Sequence, residues 1–230
     1  GWTKKYFWIM NLEKALFIDI ETHRGKEFGE ISTQLQDAFI THYYNKNEYG
    51  TPEEQYVVDA GLYPEFSQVV CATFGFENTV GGFSTKSFYG TNEKEILESL
   101  ANIFERTNEK RYFAIGHAIS TFDIPYLIKR YIINGIRVPD LINEVSSKPW
   151  ERKNVDTMSL WKFGSFRGTS LSTVCSCLGI ECKSTEITGE NLHLRKLEEI
   201  DWEELKKYCE EDVESNYRMV KRILELINVI

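Results

Sequence analysis

Two carboxylates stand next to each other at the end of an apolar run, where they could hold a cation. Asp19 and Glu21 end the run that begins at Ala15 and is rich in residues that favour β-strands. Because side chains alternate on a strand, Phe17, Asp19 and Glu21 are expected on one face of it. Carboxylates at the end of a buried strand repel each other and are costly to desolvate, and a bound cation would relieve both penalties. The alternative is a strand end that emerges into solvent.

A third acid, Asp212, lies within the apolar stripe of the helix that the sequence predicts over residues 201–227. Asp212 follows Tyr208 by one turn on the same face, and Asp is almost never fully buried unless it is paired. No Lys or Arg shares that face. The apolar side comprises Leu205, Tyr208, Cys209, Val213, Asn216, Val220, Ile223 and Ile227. The charged side, which is expected to face solvent, comprises Lys207, Glu210, Glu211, Glu214, Arg218, Lys221, Arg222 and Glu225. The alternative is an Asp at the margin of the stripe that forms a salt bridge with a core neighbour.

A fourth acid, Asp123, follows a short apolar strand and a polar turn and stands two residues before Pro125. Asp is a favoured N-cap and proline is favoured in the first helical turn, so this spacing predicts that Asp123 caps a helix that ends at Asn134. A carboxylate in that position can also point toward a cation. Four acids offer the hard oxygen ligands that Mg²⁺ or Mn²⁺ takes.

Cysteines offer a weaker alternative metal site. The chain has five of them, an odd number, and no C-x-x-C pair. Cys175 and Cys177, with Cys182 farther on, hint at zinc, which needs thiolates or imidazoles at tight paired spacing. The simpler interpretation is that they are small apolar core residues of a protein in a reducing compartment, which predicts a cytoplasmic location.

Length and composition bound the class of protein. The chain has 230 residues, of which 42% are hydrophobic and 13% aromatic, and a net charge of −8. These values predict one globular domain over residues 1–230, with an N-terminal extension at 1–14 and a more polar excursion at 24–65. No apolar run approaches the roughly 18–20 residues of a membrane span, so no membrane partner is expected. The acidic balance argues against a protein that coats DNA, but it allows an enzyme that holds cations in a carboxylate cluster.

Strands and helices alternate along the sequence, which is typical of an α/β protein. Short apolar runs predict strands at residues 15–20, 69–76, 82–89 and 111–116. Helical periodicity and start signals predict helices at residues 51–61, 92–104, 123–134, 170–178 and 201–227. The acids form one site if the last helix and the carboxyl end of the first strand come together.

Three segments of the sequence resemble the motifs of the DEDD 3′→5′ exonucleases. Residues 17–22 (FIDIET) resemble the first, D-x-E motif, and Phe122-Asp123 with the four residues that follow resemble the second. Residues 208–212 (YCEED) resemble the third motif in the Y-x-x-x-D form of the tyrosine subgroup. Parts of residues 167–184 resemble the linking segment of the predicted exonucleases related to the proofreading domain of family B DNA polymerases. No polymerase domain fits in the chain, so a stand-alone member is expected.

The resemblance implies a ribonuclease H-like, three-layer α/β fold with a mixed five-stranded sheet flanked by helices. It also implies two divalent cations, Mg²⁺ or Mn²⁺, held by Asp19, Glu21, Asp123 and Asp212. Asp19 would bridge both ions, Glu21 and Asp212 would complete the position that activates water, and Asp123 would serve the ion near the leaving 3′ oxygen. Tyr208 would orient the attacking water, because a phenol with an ordinary pKa of about 10 is a poor base at neutral pH.

The implied reaction is 3′→5′ hydrolysis of single-stranded DNA or RNA to nucleoside 5′-monophosphates, and the same resemblance implies a place in DNA repair. Two alternatives stay open. One is a binding module of the same fold that has lost turnover, although the presence of all four acids argues against it. The other is a ribonuclease H-like endonuclease, which would cleave a circular single strand, whereas an exonuclease needs an end.

The residues that would hold the substrate are less clearly marked. His117 and Phe122 beside the second motif, and Arg167 and Lys183 in the linking segment, are predicted to contact it. The family usually has Asn where this chain has Ala118, which bears on substrate preference. For His117 the alternative is an ordinary histidine at a strand end. Basic and aromatic side chains alternate between residues 148 and 167, as on surfaces that bind single strands, unless these aromatics pack on the core.

Overall fold

A computed structural model describes residues 11–144, 147–148, 152–181 and 189–227 of the protein. Lys183, predicted to contact substrate, and Cys182, part of the zinc hint, lie outside the described residues, as does most of the predicted N-terminal extension. Across the described ranges, no helix combines the length and the apolar character needed to span a membrane.

Within these ranges, five strands form one mixed sheet in the order β3–β2–β1–β4–β5. The strands are β1 (Ala15–His23), β2 (Gln68–Glu77), β3 (Phe83–Tyr89), β4 (Phe113–Gly116) and β5 (Val155–Asp156). β1 pairs with β2 in antiparallel and with β4 in parallel orientation, and β4 pairs with β5 in parallel. The prediction of a mixed five-stranded sheet flanked by helices is confirmed.

The sheet is flanked by helices whose ends follow the capping signals in the sequence. The described helices are α1 (Thr33–His42), α2 (Pro52–Asp59), α3 (Glu93–Glu109), α4 (Asp123–Ile133), α5 (Thr157–Trp161), α6 (Leu171–Leu178), α7 (Gly189–Leu192) and α8 (Trp202–Leu226). The side chain of Asp201 caps α8 by accepting hydrogen bonds from the main-chain N–H groups of Glu203 and Glu204. Gly179 ends α6 at a φ of 66°, a left-handed conformation that is cheapest for glycine.

The two faces of β1 pack against different helices. Leu16, Ile18 and Ile20 join the core formed with α3 and α4. Phe17, on the opposite face, joins the core formed with α6 and α8. Burying a side chain of this size is worth about 1.5–3 kcal/mol, and a slip of β1 by one residue would exchange its two faces. The register of β1 therefore holds Asp19, which shares the Phe17 face, on the side of α8.

Residues 24–65 form an excursion with a small aromatic core of its own. The 3₁₀ turn Phe28–Glu30, α1, α2 and the 3₁₀ turn Ala60–Leu62 lie in this segment. Phe28, Phe39 and Tyr56 are buried there together with Phe66, which directly follows the segment. The carbonyl oxygen of Gly61 accepts hydrogen bonds from Thr22 Oγ1 at 2.7 Å and from the Tyr126 hydroxyl at 3.1 Å. These two bonds tie the excursion to β1 and to α4.

α8 lies close against the sheet and is held there by polar contacts. A Cβ on Gly75 of β2 would come within 2.8 Å of Val213 Cγ1, so glycine permits the close approach of the helix. The Tyr217 hydroxyl donates to Glu77 Oε1 at 2.8 Å, and Ser87 Oγ donates to Glu210 Oε1 at 2.9 Å. Glu210, which is predicted to face solvent, is partly exposed, and β3, which lies beside α8, supplies a hydroxyl donor to its carboxylate.

Candidate active site

Two predicted metal ligands and one thiol come together where β1 meets α8. One ligand atom each from Asp19, Glu21 and Cys209 lies within 4.8 Å of the other two. Cys209 Sγ is 3.3 Å from Asp19 Oδ2 and 3.6 Å from the Asp19 carbonyl oxygen. Burial, the neighbouring Cys71 and the charges of Asp19 and Glu21 raise the pKa of the Cys209 thiol well above its ordinary value. At neutral pH the thiol is therefore protonated and can donate to Asp19.

Asp123 reaches the same region from α4, but its predicted role as an N-cap was wrong. Phe122 is the N-cap, and Asp123 is the first residue of the helix. Asp123 Oδ1 instead accepts a hydrogen bond from the main-chain N–H of Ile20 at 3.2 Å. β4 pairs with β1 only as far as Phe17, and beyond that point the Asp123 carboxylate supplies the acceptor that a strand would otherwise provide.

The environment of Asp123 disfavours its negative charge. Asp123 is 3% exposed, and its pKa is raised to about 7, chiefly by burial. The charges of Asp156 and Asp212 contribute to this increase in pKa, whereas main-chain N–H groups, including that of Ile20, oppose it. Crowded carboxylates of this kind are a donor set that fits hard divalent cations, which would neutralise them.

α8 brings the third motif to the same region. Tyr208 is buried with Leu205 and Cys209 against β2, and Asp212 is partly exposed one turn farther along the helix. The charge of Asp212 acts on both Asp123 and His117. The four predicted metal ligands thus lie in one region, although Asp123 and Asp212 do not join the tighter group formed by Asp19 and Glu21 among the described residues.

Asp156, at the end of β5, is a residue of this region that sequence reasoning missed. Its Oδ1 accepts from the main-chain N–H groups of Met158, Ser159 and Ala118, and its Oδ2 accepts from that of Ser120. It therefore caps α5 and holds the turn that leads to Asp123. An Asp before a short helical segment was the available signal, but the sequence does not show that β5 lies beside β4.

The turn before Asp123 contains a strained residue. Ala118 adopts a φ of 61°. The family that this sequence resembles usually has Asn at this position. A non-glycine residue in this left-handed region is uncommon, and Asn tolerates it better than Ala does. Here the conformation is held by the bond to Asp156 and by hydrogen bonds from the main-chain N–H groups of Thr121 and Phe122 to the Ala118 carbonyl, both at 3.0 Å.

The predicted substrate contacts differ in their surroundings. Both ring nitrogens of His117 are engaged, Nδ1 with Thr157 Oγ1 at 3.0 Å and Nε2 with the Thr169 carbonyl oxygen at 2.8 Å. Burial lowers the pKa of His117 despite the opposing effect of the Thr169 bond. The Phe122 ring packs against the Tyr126 ring, with 5.3 Å between the ring centroids. Arg167 is exposed in the loop that precedes α6.

The zinc hint gains no support within the part of the chain that the structure describes. Cys175 is buried, with its sulfur 3.9 Å from the Ser215 carbonyl oxygen, whereas Cys177 is exposed. Neither belongs to a group of potential metal ligands among those residues.

The architecture matches that of a solved polymerase. The structure of the family B DNA polymerase from the hyperthermophilic archaeon Pyrobaculum calidifontis superposes on 91% of this chain with a TM-score of 0.55 and 17% sequence identity. The match covers 24% of that polymerase, so this chain spans about a quarter of its length. The sheet and its flanking helices therefore define a ribonuclease H-like α/β fold of the kind found in polymerase B exonuclease domains.

The family follows from the sequence itself. Residues 63–228 match the family described as predicted 3′-5′ exonuclease related to the exonuclease domain of PolB, and the chain belongs to that family. The matched range includes Asp123, Tyr208 and Asp212, whereas Asp19 and Glu21 precede it and are brought to it by the fold. A comparison with curated proteins found no match.

Proposed function

We propose that this protein is a metal-dependent 3′→5′ exonuclease that hydrolyses single-stranded DNA or RNA to nucleoside 5′-monophosphates. The observation that supports this most strongly is the convergence of carboxylates from β1, α4 and α8, with Asp123 bonded to the main chain between Asp19 and Glu21. Carboxylates so arranged suit the hydrolysis of an anionic phosphodiester, which needs positive charge at the reacting oxygens.

In this proposal Asp19, Glu21, Asp123 and Asp212 hold two divalent cations, Mg²⁺ or Mn²⁺. Their oxygen donors and the raised pKa of Asp123 support this assignment, because a cation would offset the repulsion among these carboxylates. When bound, the two cations supply charge neutralisation at the attacking and leaving oxygens.

The remaining roles belong to side chains around the acids. The Tyr208 hydroxyl orients the attacking water, and the packing of Tyr208 against β2 supports a positioning role because it restricts the ring. Arg167 and Lys183 contact phosphates of the substrate. His117 and Phe122 contact it through their exposed edges, since each is partly exposed.

We also propose a single domain over residues 1–230, with an extension at 1–14 and the excursion at 24–65, and a cytoplasmic location. The free thiols of Cys71, Cys175, Cys177 and Cys209 support a reducing compartment. A setting in DNA repair rests on the family resemblance alone.

The direct test is release of labelled mononucleotide from a 3′-labelled single-stranded oligonucleotide in Mn²⁺, with EDTA as the control. The expected result is release of the label as a mononucleotide in Mn²⁺ and none in EDTA. Cleavage of a circular single strand would indicate an endonuclease instead. Binding of the oligonucleotide without hydrolysis in Mn²⁺ would indicate a module that has lost turnover.

A further inference from the structure

The loop between α5 and α6 presents large aromatic side chains to solvent. In this segment, here called the aromatic loop (residues 162–169), Phe166 is 96% exposed and Phe163 is 51% exposed. The Phe163 ring lies edge-on to the ring of Trp161, at the end of α5, with 6.4 Å between the ring centroids. The interpretation that these aromatics pack on the core is therefore wrong for Phe166, whose side chain lies almost wholly in solvent.

One histidine contacts the last residue of the aromatic loop and the start of the helix that precedes the loop, and it lies beside the acids. His117 contacts Thr157 Oγ1 at the start of α5 and the Thr169 carbonyl oxygen at the end of the aromatic loop. The charge of Asp212 acts on the same imidazole. His117 thus connects the C-terminal end of the aromatic loop to the carboxylate site.

The main chain of the aromatic loop is strained at one of its aromatic residues. Phe163 adopts a φ of 45°, which is an outlier for a bulky residue, and Gly164 follows at a φ of 90°. Conformations of this kind cost on the order of 1–3 kcal/mol and are concentrated at functional sites. A left-handed pair at this point turns the chain between the Phe163 and Phe166 side chains.

The charge around the aromatic loop is opposite to that of the whole protein. Residues 152–169 contain four basic side chains and one acidic one, although the chain carries a net charge of −8. The acidic residue is Asp156, which is buried and accepts hydrogen bonds from main-chain N–H groups. Arg152, Lys153 and Arg167 are exposed. Exposed aromatics among basic side chains complement the bases and phosphates of a single strand.

We propose that the aromatic loop binds the single-stranded nucleic acid next to its 3′ end, with bases stacked on Phe166 and Phe163 and a phosphate contacted by Arg167. The inference rests on the proposed exonuclease function, because its occupant is the substrate of that site. Stacking on aromatic rings tolerates any base, so the aromatic loop grips the strand without selecting a sequence.

The test is fluorescence anisotropy of a 5′-labelled single-stranded oligonucleotide, measured in EDTA so that no metal-dependent hydrolysis occurs. Because stacking on one aromatic ring is worth about 1–3 kcal/mol per base, Phe166→Ala should weaken binding by roughly 5- to 150-fold. Phe166→Trp should restore it. Arg167→Gln should make the slope of log affinity against log salt concentration shallower, by the amount that corresponds to about one phosphate contact. Val80→Ala is the matched control, since Val80 is 89% exposed at the turn between β2 and β3.

Equal affinities for Phe166→Ala, Val80→Ala and the unchanged protein would overturn the inference. An oligonucleotide with abasic sites at its 3′ end should bind the unchanged protein at least as weakly as the normal strand binds Phe166→Ala, because it lacks the bases that would stack on both Phe166 and Phe163. If binding depends on Phe166 but no mononucleotide is released in Mn²⁺, the result would support the aromatic loop as a binding surface and would contradict the exonuclease proposal. Release with the same KM in Phe166→Ala as in the unchanged protein would contradict only the role of the aromatic loop.

Discussion

The main-chain N–H of Ile20 donates a hydrogen bond to Asp123 Oδ1 across 3.2 Å, which joins residues that lie 103 positions apart in the sequence. Ile20 stands between Asp19 and Glu21 on β1, and Asp123 is the first residue of α4. The bond is made in the interior, where an unpaired N–H would cost about 1–3 kcal/mol. It therefore fixes the carboxylates of the first two motifs relative to each other before any cation binds.

The buried Asp123 predicts an unusual dependence of stability on pH in a buffer that contains a chelator. Its pKa is raised from the ordinary 3.8 to about 7, so between these values the folded state keeps a proton that the unfolded state releases. The stabilising contribution of the protonated carboxyl is present below about pH 4 and is lost as the pH rises to about 7, at up to about 1.4 kcal/mol per pH unit.

Asp123→Asn isolates this effect because an amide does not titrate. Urea unfolding at several pH values should show that the stability of the unchanged protein falls relative to Asp123→Asn as the pH rises through this window. A stability difference between the two proteins that stays constant with pH would contradict the assignment.

Asp156 is expected to stabilise the fold around the candidate active site, because it holds the turn that precedes Asp123. Asp156→Ala removes the cap of α5 and the acceptor for the N–H groups of Ala118 and Ser120, so the free energy of unfolding should fall by about 2–4 kcal/mol. Denaturant unfolding measures this loss. Asp201→Ala removes only the cap of α8 and should cost about 1 kcal/mol. Equal losses in the two variants would show that Asp156 does no more than cap a helix.

The left-handed conformation of Ala118 predicts a stabilising substitution. Such a conformation costs an L-residue about 1–2 kcal/mol, whereas glycine adopts it freely but loses about 0.5–1 kcal/mol of chain entropy. Ala118→Gly should therefore raise the free energy of unfolding by up to about 1.5 kcal/mol, which a thermal melt detects as a higher Tm. Ala101→Gly, inside α3, is the control and should lower it by a similar amount. A lower Tm for both would contradict the strain at Ala118.

The sequence predicts the parts of this structure that depend on regular periodicity. Alternation along β1 correctly places Asp19 and Glu21 on the face of Phe17, and the helical stripe correctly brings Cys209 toward the sheet with Tyr208. In contrast, the direction of the Asp123 carboxylate depends on where β4 ends.

Other features depend on elements that are distant in the chain. The role of Asp156 follows from β5 lying beside β4, and the partner of Glu210 is a hydroxyl on β3. The helical stripe places Cys209 among apolar residues, and nothing in the local sequence shows that its thiol meets Asp19. These contacts are set by tertiary packing, which residue spacing does not encode.

The proposed positioning role of Tyr208 predicts a partial effect on catalysis. Tyr208→Phe should slow mononucleotide release by roughly 2- to 10-fold, the equivalent of one hydrogen bond worth about 0.5–1.5 kcal/mol. Tyr131→Phe removes another buried hydroxyl, which donates to the Leu97 carbonyl oxygen at 3.1 Å, and should leave kcat unchanged. Complete loss of release in Tyr208→Phe would indicate a proton-transfer role instead, and an unchanged rate would remove Tyr208 from the mechanism.

The central claim is that the acids of β1 belong to the same catalytic site as the family motifs on α4 and α8. Asp19→Asn tests it most directly, because this change keeps the size of the side chain and removes its charge. The control is Asp37→Asn, at an exposed position on α1. Release of mononucleotides from a 3′-labelled single strand in Mn²⁺ is the measurement. We predict that Asp19→Asn abolishes release while Asp37→Asn leaves it intact, and release by folded Asp19→Asn at the rate of the unchanged protein would contradict the claim.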